Sequence, residues 1–169
     1  MAEMIDVIDD DLNILKTISR EEIRKNNLKH KTAIVILKNR KNQIYANQRN
    51  KTKLVYPLKW VVGAGGMVRS GESYEQAAKR ELKEELGAEA ELKFLMDFDY
   101  KDEYNNYKAK IYLATYDGEI LLDKVECEQG KWVSVDKLKE IIKKGLLCPD
   151  TSLFVQKYLF TSVLNVFLF

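Results

Sequence analysis

The chain has 169 residues, of which 46% are hydrophobic, and this is enough to bury the core of one domain. Its 28 basic and 26 acidic residues leave a formal net charge of +2, so no bulk field attracts a nucleic-acid polymer or a membrane surface. Two cysteines, Cys127 and Cys148, are too few for a disulfide framework, and the N-terminus carries acids where a secretory signal needs basic residues. We therefore expect a single domain in the reducing cytoplasm.

The first thirty residues predict a hairpin followed by a short helix. Two apolar runs, residues 4–8 and 12–17, flank three consecutive aspartates that favour a turn. Ser19 with Glu22 forms a capping-box pattern, which predicts a helix over residues 20–25. We treat residues 1–30 as an N-terminal addition to the core.

The core segment, residues 31–160, carries the patterns of several strands and helices. Strands are predicted over residues 32–37, 44–48, 60–64, 92–100, 107–116 and 131–135, and closing helices over 136–144 and 150–160. The first two strands are expected to form a second hairpin. Because strands precede and follow one central helix, we predict an α+β fold, an α/β/α sandwich in which helices flank a mixed β-sheet.

The C-terminal residues 153–169, with an apolar tail over 161–169, are unusually hydrophobic. Gln156, Lys157 and Asn165 interrupt this stretch, and it is shorter than the ~20 apolar residues that span a bilayer. We expect a packed terminal helix or a homodimer contact in preference to membrane attachment.

The most informative stretch is residues 66–88, GMVRSGESYEQAAKRELKEELGA, where glycines precede a helix rich in glutamate. Glu81, Glu84 and Glu85 are three and four residues apart, so they project from one face of the helix. Like charges in this arrangement repel each other unless a cation lies between them. The spacing therefore predicts a divalent-metal site behind a glycine turn.

The ends of this central helix are also specified by the sequence. Ser73 with Gln76 predicts its N-terminal cap, and Gly87 supplies the left-handed residue that ends it after Leu86. An apolar face formed by Tyr74, Ala78, Leu82 and Leu86 borders the glutamates. The plainer interpretation, exposed glutamates paired with lysines four residues away, leaves Glu72, Arg80 and the glycines without a role.

This segment resembles the box of the Nudix hydrolases, G-x5-E-x7-R-E-U-x-E-E-x-G-U, where U is aliphatic. The matching residues are Gly66, Glu72, Arg80, Glu81, Leu82, Glu84, Glu85 and Gly87, and only Ala88 departs, because a bulkier aliphatic residue is usual there. Eight spaced and chemically distinct positions make a specific signal.

The resemblance implies a Nudix fold and the hydrolysis of a diphosphate linkage in a nucleoside diphosphate joined to another group. It implies that Glu81, Glu84 and Glu85 hold Mg²⁺ or Mn²⁺, with a backbone carbonyl near Gly65 as a further ligand. Glu72 and Arg80 resemble the internal pair that braces the loop against the helix, and Gly66 and Gly87 have structural roles. The partner is a small-molecule diphosphate.

The general base is not specified by the box alone. In this family it is a box glutamate or a glutamate from a later loop, and we favour Glu84 or Glu85. The later candidates are Glu103, Glu126 and Glu128. We expect Glu126 and Glu128 to belong to a solvated connection.

Weaker similarity outside the box resembles the branch of Nudix proteins related to isopentenyl-diphosphate isomerase. This branch raises alkene isomerisation as an alternative, which needs a cysteine and a carboxylate on opposite faces of the alkene. Residues 61–66, VVGAGG, contain neither the cysteine nor the histidine of the isomerase, and Cys127 lies far along the chain. His30 is the single retained histidine of that metal site, and as a lone histidine we expect it to be structural.

A basic stretch around residues 40–53 offers groups for the phosphates of a substrate. We single out Arg49, because it ends a strand and a guanidinium suits bidentate phosphate contact. The plainer interpretation is a solvated hairpin edge. A third functional hypothesis is a non-catalytic nucleotide-binding module, against which the complete set of box glutamates argues.

Overall fold

The computed structural model describes residues 2–156, which form a nine-stranded mixed sheet with helices on both faces. The elements in chain order are β1 (Met4–Ile8), β2 (Ile14–Ser19), α1 (Arg20–Lys25), β3 (His30–Lys38), β4 (Ile44–Arg49), β5 (Trp60–Val62), β6 (Ala64–Met67), α2 (Tyr74–Leu86), β7 (Lys93–Lys101), β8 (Asn106–Thr115), β9 (Cys127–Val133), α3 (Val135–Lys143) and α4 (Pro149–Phe154). The N-terminal hairpin, the capped helix α1 and the mixed sheet are as predicted.

Strand β3 is the centre of the sheet. It pairs in parallel with β8 along its whole length, and β8 pairs in turn with β7. Its other edge is shared by β1 at His30, by β6 over residues 32–35 and by β4 at Lys38. An apolar run buried on both sides, HKTAIVILK, is the pattern expected for such a strand.

The predicted hairpin of residues 32–37 and 44–48 is wrong beyond its base. The register pairs only Lys38 with Ile44, after which β4 diverges and pairs with β5 and β9. The chain from β5 to β6 crosses this split by breaking at Gly63, whose φ is 73°. A Cβ there would lie 1.7 Å from the carbonyl oxygen of Val35, so the crossing requires glycine. The sheet therefore opens into a V.

Helices cover the two faces of the sheet, as the predicted α/β/α layers require. One core contains α2, through Ala78, Leu82 and Leu86, packed on β3, β6 and β8. The other contains Leu138 and Ile141 of α3 with Phe154 of α4. The sequence periodicity thus placed the buried face of α2 correctly.

Gly65 and Gly66 lie in a strand and not in the predicted turn. They belong to β6 and pair with Ile34 and Ala33 of β3. The turn follows later, where the Glu72 N–H donates to the Arg69 carbonyl. Glycine is needed in the strand for another reason, because a Cβ on Gly66 would lie 2.3 Å from a carboxylate oxygen of Glu81.

The C-terminal predictions hold in part. Strand β9 begins at Cys127, earlier than the predicted 131–135, and α4 covers Pro149–Phe154. The remainder of the predicted 150–160 helix beyond residue 156 and the apolar tail 161–169 lie outside the described residues. Over residues 2–156, no helix is long and apolar enough to cross a membrane.

Arg80 ties the turn after β6 to helix α2. Its Nε and Nη2 donate to the two carboxylate oxygens of Glu72 at 2.9 Å each, and Nη2 also donates to the Met67 carbonyl at 3.1 Å. This confirms the contact expected between Glu72 and Arg80. The planar fork satisfies both oxygens at once, which an ammonium group does not do.

We predict that Arg80→Lys lowers the free energy of unfolding by about 2 kcal/mol, because Glu72 and the Met67 carbonyl lose donors in a largely buried network. Arg40→Lys is the matched control, since Arg40 is 87% exposed where it meets Asp117, and it should change stability by less than about 0.5 kcal/mol. Urea unfolding measures both. Equal losses in the two variants would contradict the bracing role.

A second prediction concerns His30, the only histidine of the chain. It is buried, its Nδ1 lies 2.9 Å from the Leu28 carbonyl oxygen, and burial lowers its pKa from 6.5 to about 4. Between pH 6.5 and 4, His30 is therefore protonated in the unfolded chain but remains neutral in the folded chain. Stability is complete above pH 6.5 and falls as the pH decreases.

We expect this histidine to remove about 2 kcal/mol of stability between pH 7.5 and 5. In His30→Asn, which keeps a donor near the position of Nδ1, the corresponding part of the pH dependence should disappear. Denaturant unfolding at several pH values checks this. Parallel pH profiles for the two proteins would show that His30 is not the responsible group.

Candidate active site

A cleft of about 310 Å³ opens where the sheet splits between β4 and β6. Its lining combines acidic, basic and aromatic side chains from distant parts of the chain. The acids are Glu3, Glu81, Glu84, Glu85, Asp123, Glu126 and Asp150, the bases are Arg20, Arg24, Arg49, Lys53, Arg69 and Arg80, and the tyrosines are Tyr56, Tyr104 and Tyr107. The cleft thus brings together the three glutamates predicted to bind the metal. Gly65, Gly66 and Arg49 also line it.

Glu81 is held against the backbone of β6. It is 8% exposed, its carboxylate covers Gly66, and Nη1 of Arg80 donates to it at 2.5 Å. Burial raises the pKa of this carboxyl, while Arg80 opposes the increase. Because Arg80 occupies one side of the Glu81 carboxylate, the lone pairs that do not accept from Arg80 are the ones available to a ligand in the cleft.

Glu84 and Glu85 differ in their surroundings. Glu84 is half exposed and accepts from Nη1 of Arg80 at 3.2 Å. Glu85 is half-buried and lies near the backbone of Gly65, which favours its charged form. Burial first, and then the negative charges of Glu81 and Glu126, raise the pKa of Glu85 to about 8.

These carboxylates fit a hard divalent cation by their chemistry. Carboxylate oxygens are the ligands that Mg²⁺ and Mn²⁺ prefer, and the negative charges of Glu81 and Glu126, which add to burial in raising the pKa of Glu85, are charges that a cation would offset. In residues 2–156, however, no three acidic, histidine or cysteine side chains are already arranged as a metal centre. Arg80 occupies one side of both Glu81 and Glu84, so a cation would compete with it.

The three later glutamates that were candidates for the general base differ in whether they line the cleft. Glu126 lies in the cleft and forms an ion pair with Lys53, whereas Glu103 and Glu128 do not line it. Glu128 is part of β9 and accepts the backbone N–H of Lys51 at 3.0 Å. The expectation of a solvated connection is therefore wrong for Glu128, which lies in a strand. Glu126 lies in the turn just before that strand, half-buried, and its charge acts on Glu85.

Two arginines of the cleft, Arg49 and Arg24, are not paired with a carboxylate within residues 2–156. Nε of Arg49 donates to the Val55 carbonyl at 3.0 Å, and its two terminal nitrogens have no partner among the described residues. The residue Arg24 is exposed overall, and its guanidinium group likewise has no hydrogen bond or ion pair within residues 2–156. Partial burial of the guanidinium, and then the positive charges of Arg20 and Arg49, lower the pKa of Arg24 in spite of the more distant Glu126 and Glu3.

Sequence reasoning missed Arg20 and Arg24. The signal was present as two arginines four residues apart on α1, which the i,i+4 rule places on one face of that helix. What the sequence does not reveal is that the N-terminal hairpin turns this face toward β4 and the box.

Cys127 lies in the cleft in spite of its distance along the chain. Its thiol donates to Oδ1 of Asn47 at 3.2 Å, and Nδ2 of Asn47 donates to the Gly63 carbonyl at 2.6 Å. Burial, followed by Glu85 and Glu126, raises the pKa of the thiol to about 12. It is therefore a neutral hydrogen-bond donor rather than a thiolate nucleophile.

An acidic and aromatic end of the cleft was not recognised from the sequence. The Tyr107 hydroxyl donates to Oδ2 of Asp150 at 2.8 Å, and Tyr56 packs edge-to-face on Tyr104 with ring centroids 5.7 Å apart. These residues come from three separate segments, and only Tyr104 and Tyr107 are close in sequence, so no local pattern connects the whole set.

Known proteins share both this sequence pattern and this fold. A model of the NUDIX domain matches residues 28–150. An uncharacterized Nudix hydrolase of Pseudomonas aeruginosa, PA4841, is 30% identical over 159 residues, which cover 94% of each chain. Isopentenyl-diphosphate Delta-isomerase 2 of Photorhabdus laumondii is 25% identical over 159 residues, covering 89% of this chain and 86% of that protein.

A solved structure, DR0079 from Deinococcus radiodurans, superposes with a TM-score of 0.80 at 23% identity and covers 92% of this chain and 98% of its own. At that identity it shows the shared fold. The match of the family model over most of the chain, together with the PA4841 similarity, shows more than the fold. The chain therefore belongs to the Nudix family and is a Nudix hydrolase.

Proposed function

We propose that the protein is a divalent-metal-dependent pyrophosphohydrolase that cleaves a nucleoside diphosphate joined to another group, by attack of water on phosphorus. The observation that carries this proposal is one cleft lined both by the box glutamates and by Arg24 and Arg49, whose guanidinium groups have no carboxylate partner within residues 2–156. Carboxylates bind a divalent cation, and unpaired guanidinium groups bind phosphate oxygens. A diphosphate with its metal ion would therefore be bound by both sets of residues.

In this proposal Glu81, Glu84 and Glu85 hold Mg²⁺ or Mn²⁺, with the carbonyl of Gly65 as a further ligand. When bound, such an ion neutralises phosphate oxygens and lowers the pKa of water. Arg49 and Arg24 bind and orient the diphosphate. Because phosphoryl transfer depends on alignment and charge stabilisation, these positions account for most of what the protein must supply.

Proton removal from the attacking water is assigned to Glu85 or Glu84, with Glu126 as the later-segment alternative. Glu85 suits this role by position, because it lines the cleft one helical turn from Glu81 and is half-buried. Glu103 and Glu128 lie away from the cleft lining, so we assign them no role in the reaction.

A non-catalytic binding module is the first alternative, and isomerisation of a prenyl diphosphate is the second. The position of Cys127 in the cleft and the similarity to an isomerase favour testing the latter. Its thiol is engaged with Asn47 and the segment before the box supplies no second acid or base, which favours hydrolysis.

The deciding experiment incubates the full chain with Mg²⁺ or Mn²⁺ and a panel of nucleotide sugars, dinucleotides, nucleoside triphosphates and isopentenyl diphosphate. We expect release of phosphorylated products that stops when EDTA is added. Nucleotide binding without turnover would establish a binding module, and conversion of isopentenyl diphosphate to its allylic isomer would establish an isomerase.

We predict that Glu84→Gln lowers kcat by about 100-fold or more, because it removes a charged metal ligand while keeping the shape of the side chain. The melting temperature should change little. Glu75→Gln is the control on the same helix, since Glu75 is exposed and, within the described part of the chain, forms an ion pair with Lys79 alone. A fully active Glu84→Gln enzyme would remove this residue from the site.

For Arg49→Ala we expect KM to rise about tenfold with a smaller change in kcat, because charge-assisted contacts to phosphate are lost in the bound state as a whole. Arg40→Ala, on an exposed turn outside the cleft lining, is the control. Steady-state kinetics with the best substrate of the panel measures both. An unchanged KM in Arg49→Ala would exclude Arg49 from substrate binding.

A further inference from the structure

One end of the cleft is built differently from the diphosphate end. We call it the tyrosine compartment and define it by Tyr56, Tyr104, Asn105, Tyr107 and Asp150, all of which line the cleft. None of them belongs to the Nudix box. Its carboxylate and hydroxyl groups suggest a role in selecting what is attached to the diphosphate.

The sheet register places this compartment at a distance from the box. Tyr107 lies opposite His30 on β3, whereas Gly66, beneath Glu81, lies opposite Ala33 on the other edge of β3. Three residues along a strand and two strand spacings across separate their backbones by about 14 Å. A group linked through a diphosphate held near the glutamates can therefore extend into the compartment.

Hydrogen bonds fix the tyrosines from behind. Tyr56 and Tyr100 both donate their hydroxyls to Oδ2 of Asp102, at 2.5 Å and 2.7 Å. Burial alone would raise the pKa of Asp102, but these bonds and the N–H groups of Tyr104 and Asn105 outweigh it and hold the pKa below its usual range. Asp102 thus stays ionised and keeps Tyr56 in place.

The position of Tyr56 is also set by its backbone. Its φ is 50°, a left-handed conformation that a tyrosine rarely adopts, and the adjoining Val55 carbonyl accepts from Arg49. Two side-chain contacts therefore hold a locally unfavourable turn, one to Asp102 and one to Arg49. The ring reaches the cleft in a fixed position before any substrate binds.

The compartment has negative charge without a matching cation. Asp150 accepts from the Tyr107 hydroxyl through Oδ2 and from the Thr151 N–H through Oδ1, and Asp102 lies behind Tyr56. Within residues 2–156, neither aspartate has a lysine or arginine within ion-pair distance. An approaching phosphate would meet like charge here, whereas a hydroxyl group would find a carboxylate that accepts.

We propose that Asp150 is a specificity-determining residue and that the tyrosine compartment receives an uncharged, hydroxyl-bearing group. This inference rests on the proposed hydrolysis of a diphosphate. The favoured substrate is then a nucleoside diphosphate joined to a sugar-like group, whose hydroxyls donate to Asp150 and whose apolar faces pack on the tyrosine rings. A nucleoside triphosphate has a phosphate in place of the attached group, so it offers no hydroxyl donor at that position and presents further negative charge.

The test compares kcat/KM for a nucleotide sugar and for the triphosphate of the same nucleoside, with Mn²⁺ present. The wild-type enzyme should prefer the nucleotide sugar by about tenfold or more, which is the effect expected of one uncompensated like-charge contact in a partly solvated cleft. In Asp150→Asn this ratio should fall toward one, chiefly because the triphosphate becomes a better substrate.

Asparagine keeps one oxygen, which can still accept from the Thr151 N–H, and its NH2 group can donate to the hydroxyl oxygen of Tyr107. The fold should therefore be retained, and an unchanged melting temperature checks this. Asp136→Asn removes the same charge at an exposed site on α3 and should leave the ratio unchanged. A gain in triphosphate kcat/KM is a result that simple damage to the site would not produce.

The outcomes separate the inference from the hydrolase proposal. If no compound of the panel is cleaved, the hydrolase proposal fails. If diphosphate linkages are cleaved but the triphosphate is equally good or better, or the ratio is the same in Asp150→Asn, the assignment of Asp150 is wrong while hydrolysis stands. A strong preference for a nucleoside diphosphate joined to an ammonium-bearing group would also overturn the uncharged assignment.

Discussion

The site depends on the close contact of helix α2 with strand β6. Because Gly66 has no side chain, the Glu81 carboxylate can lie directly over its backbone. One nitrogen of Arg80 donates to that carboxylate, and its other guanidinium nitrogens donate to Glu72. The capping box at Ser73 and the left-handed Gly87 fix the register of the helix at its two ends. Without this contact the three glutamates would remain on one helix face but would not lie over the cleft.

The second constraint is the split of the sheet. Because β4 leaves β3 after a single pair, the chain between β5 and β6 must cross the gap, and the gap becomes the cleft. Acids come to it from α2 and from the turn before β9, and arginines come from α1 and β4. Several of these charges are paired, as Lys53 is with Glu126, but within residues 2–156 the guanidinium of Arg24 and the terminal nitrogens of Arg49 have no carboxylate partner and are available to a diphosphate.

The parts of this arrangement that depend on local sequence could be predicted. The spacing of Glu81, Glu84 and Glu85, the caps of α2 and the buried face of that helix all follow from a period of 3.6 residues, and the structure places them accordingly. The glycines were located correctly but misinterpreted, because the close approach of Glu81 to Gly66 is a tertiary contact. The second hairpin failed for a similar reason, since partners from β5 and β9 outcompete β3 for β4. Arg24, Cys127, Tyr56 and Asp150 reach the cleft only through folding, so their spacing in the sequence carries no sign of it.

The central claim is that water attacks phosphorus in a diphosphate held between the box glutamates and the arginines. Hydrolysis in ¹⁸O-labelled water, followed by mass spectrometry of the products, tests this most directly. The account predicts one ¹⁸O atom per turnover in a phosphoryl product, only with Mg²⁺ or Mn²⁺ present. Label in the alcohol carbon fragment, or turnover of the diphosphate compound without any incorporated label, would contradict it.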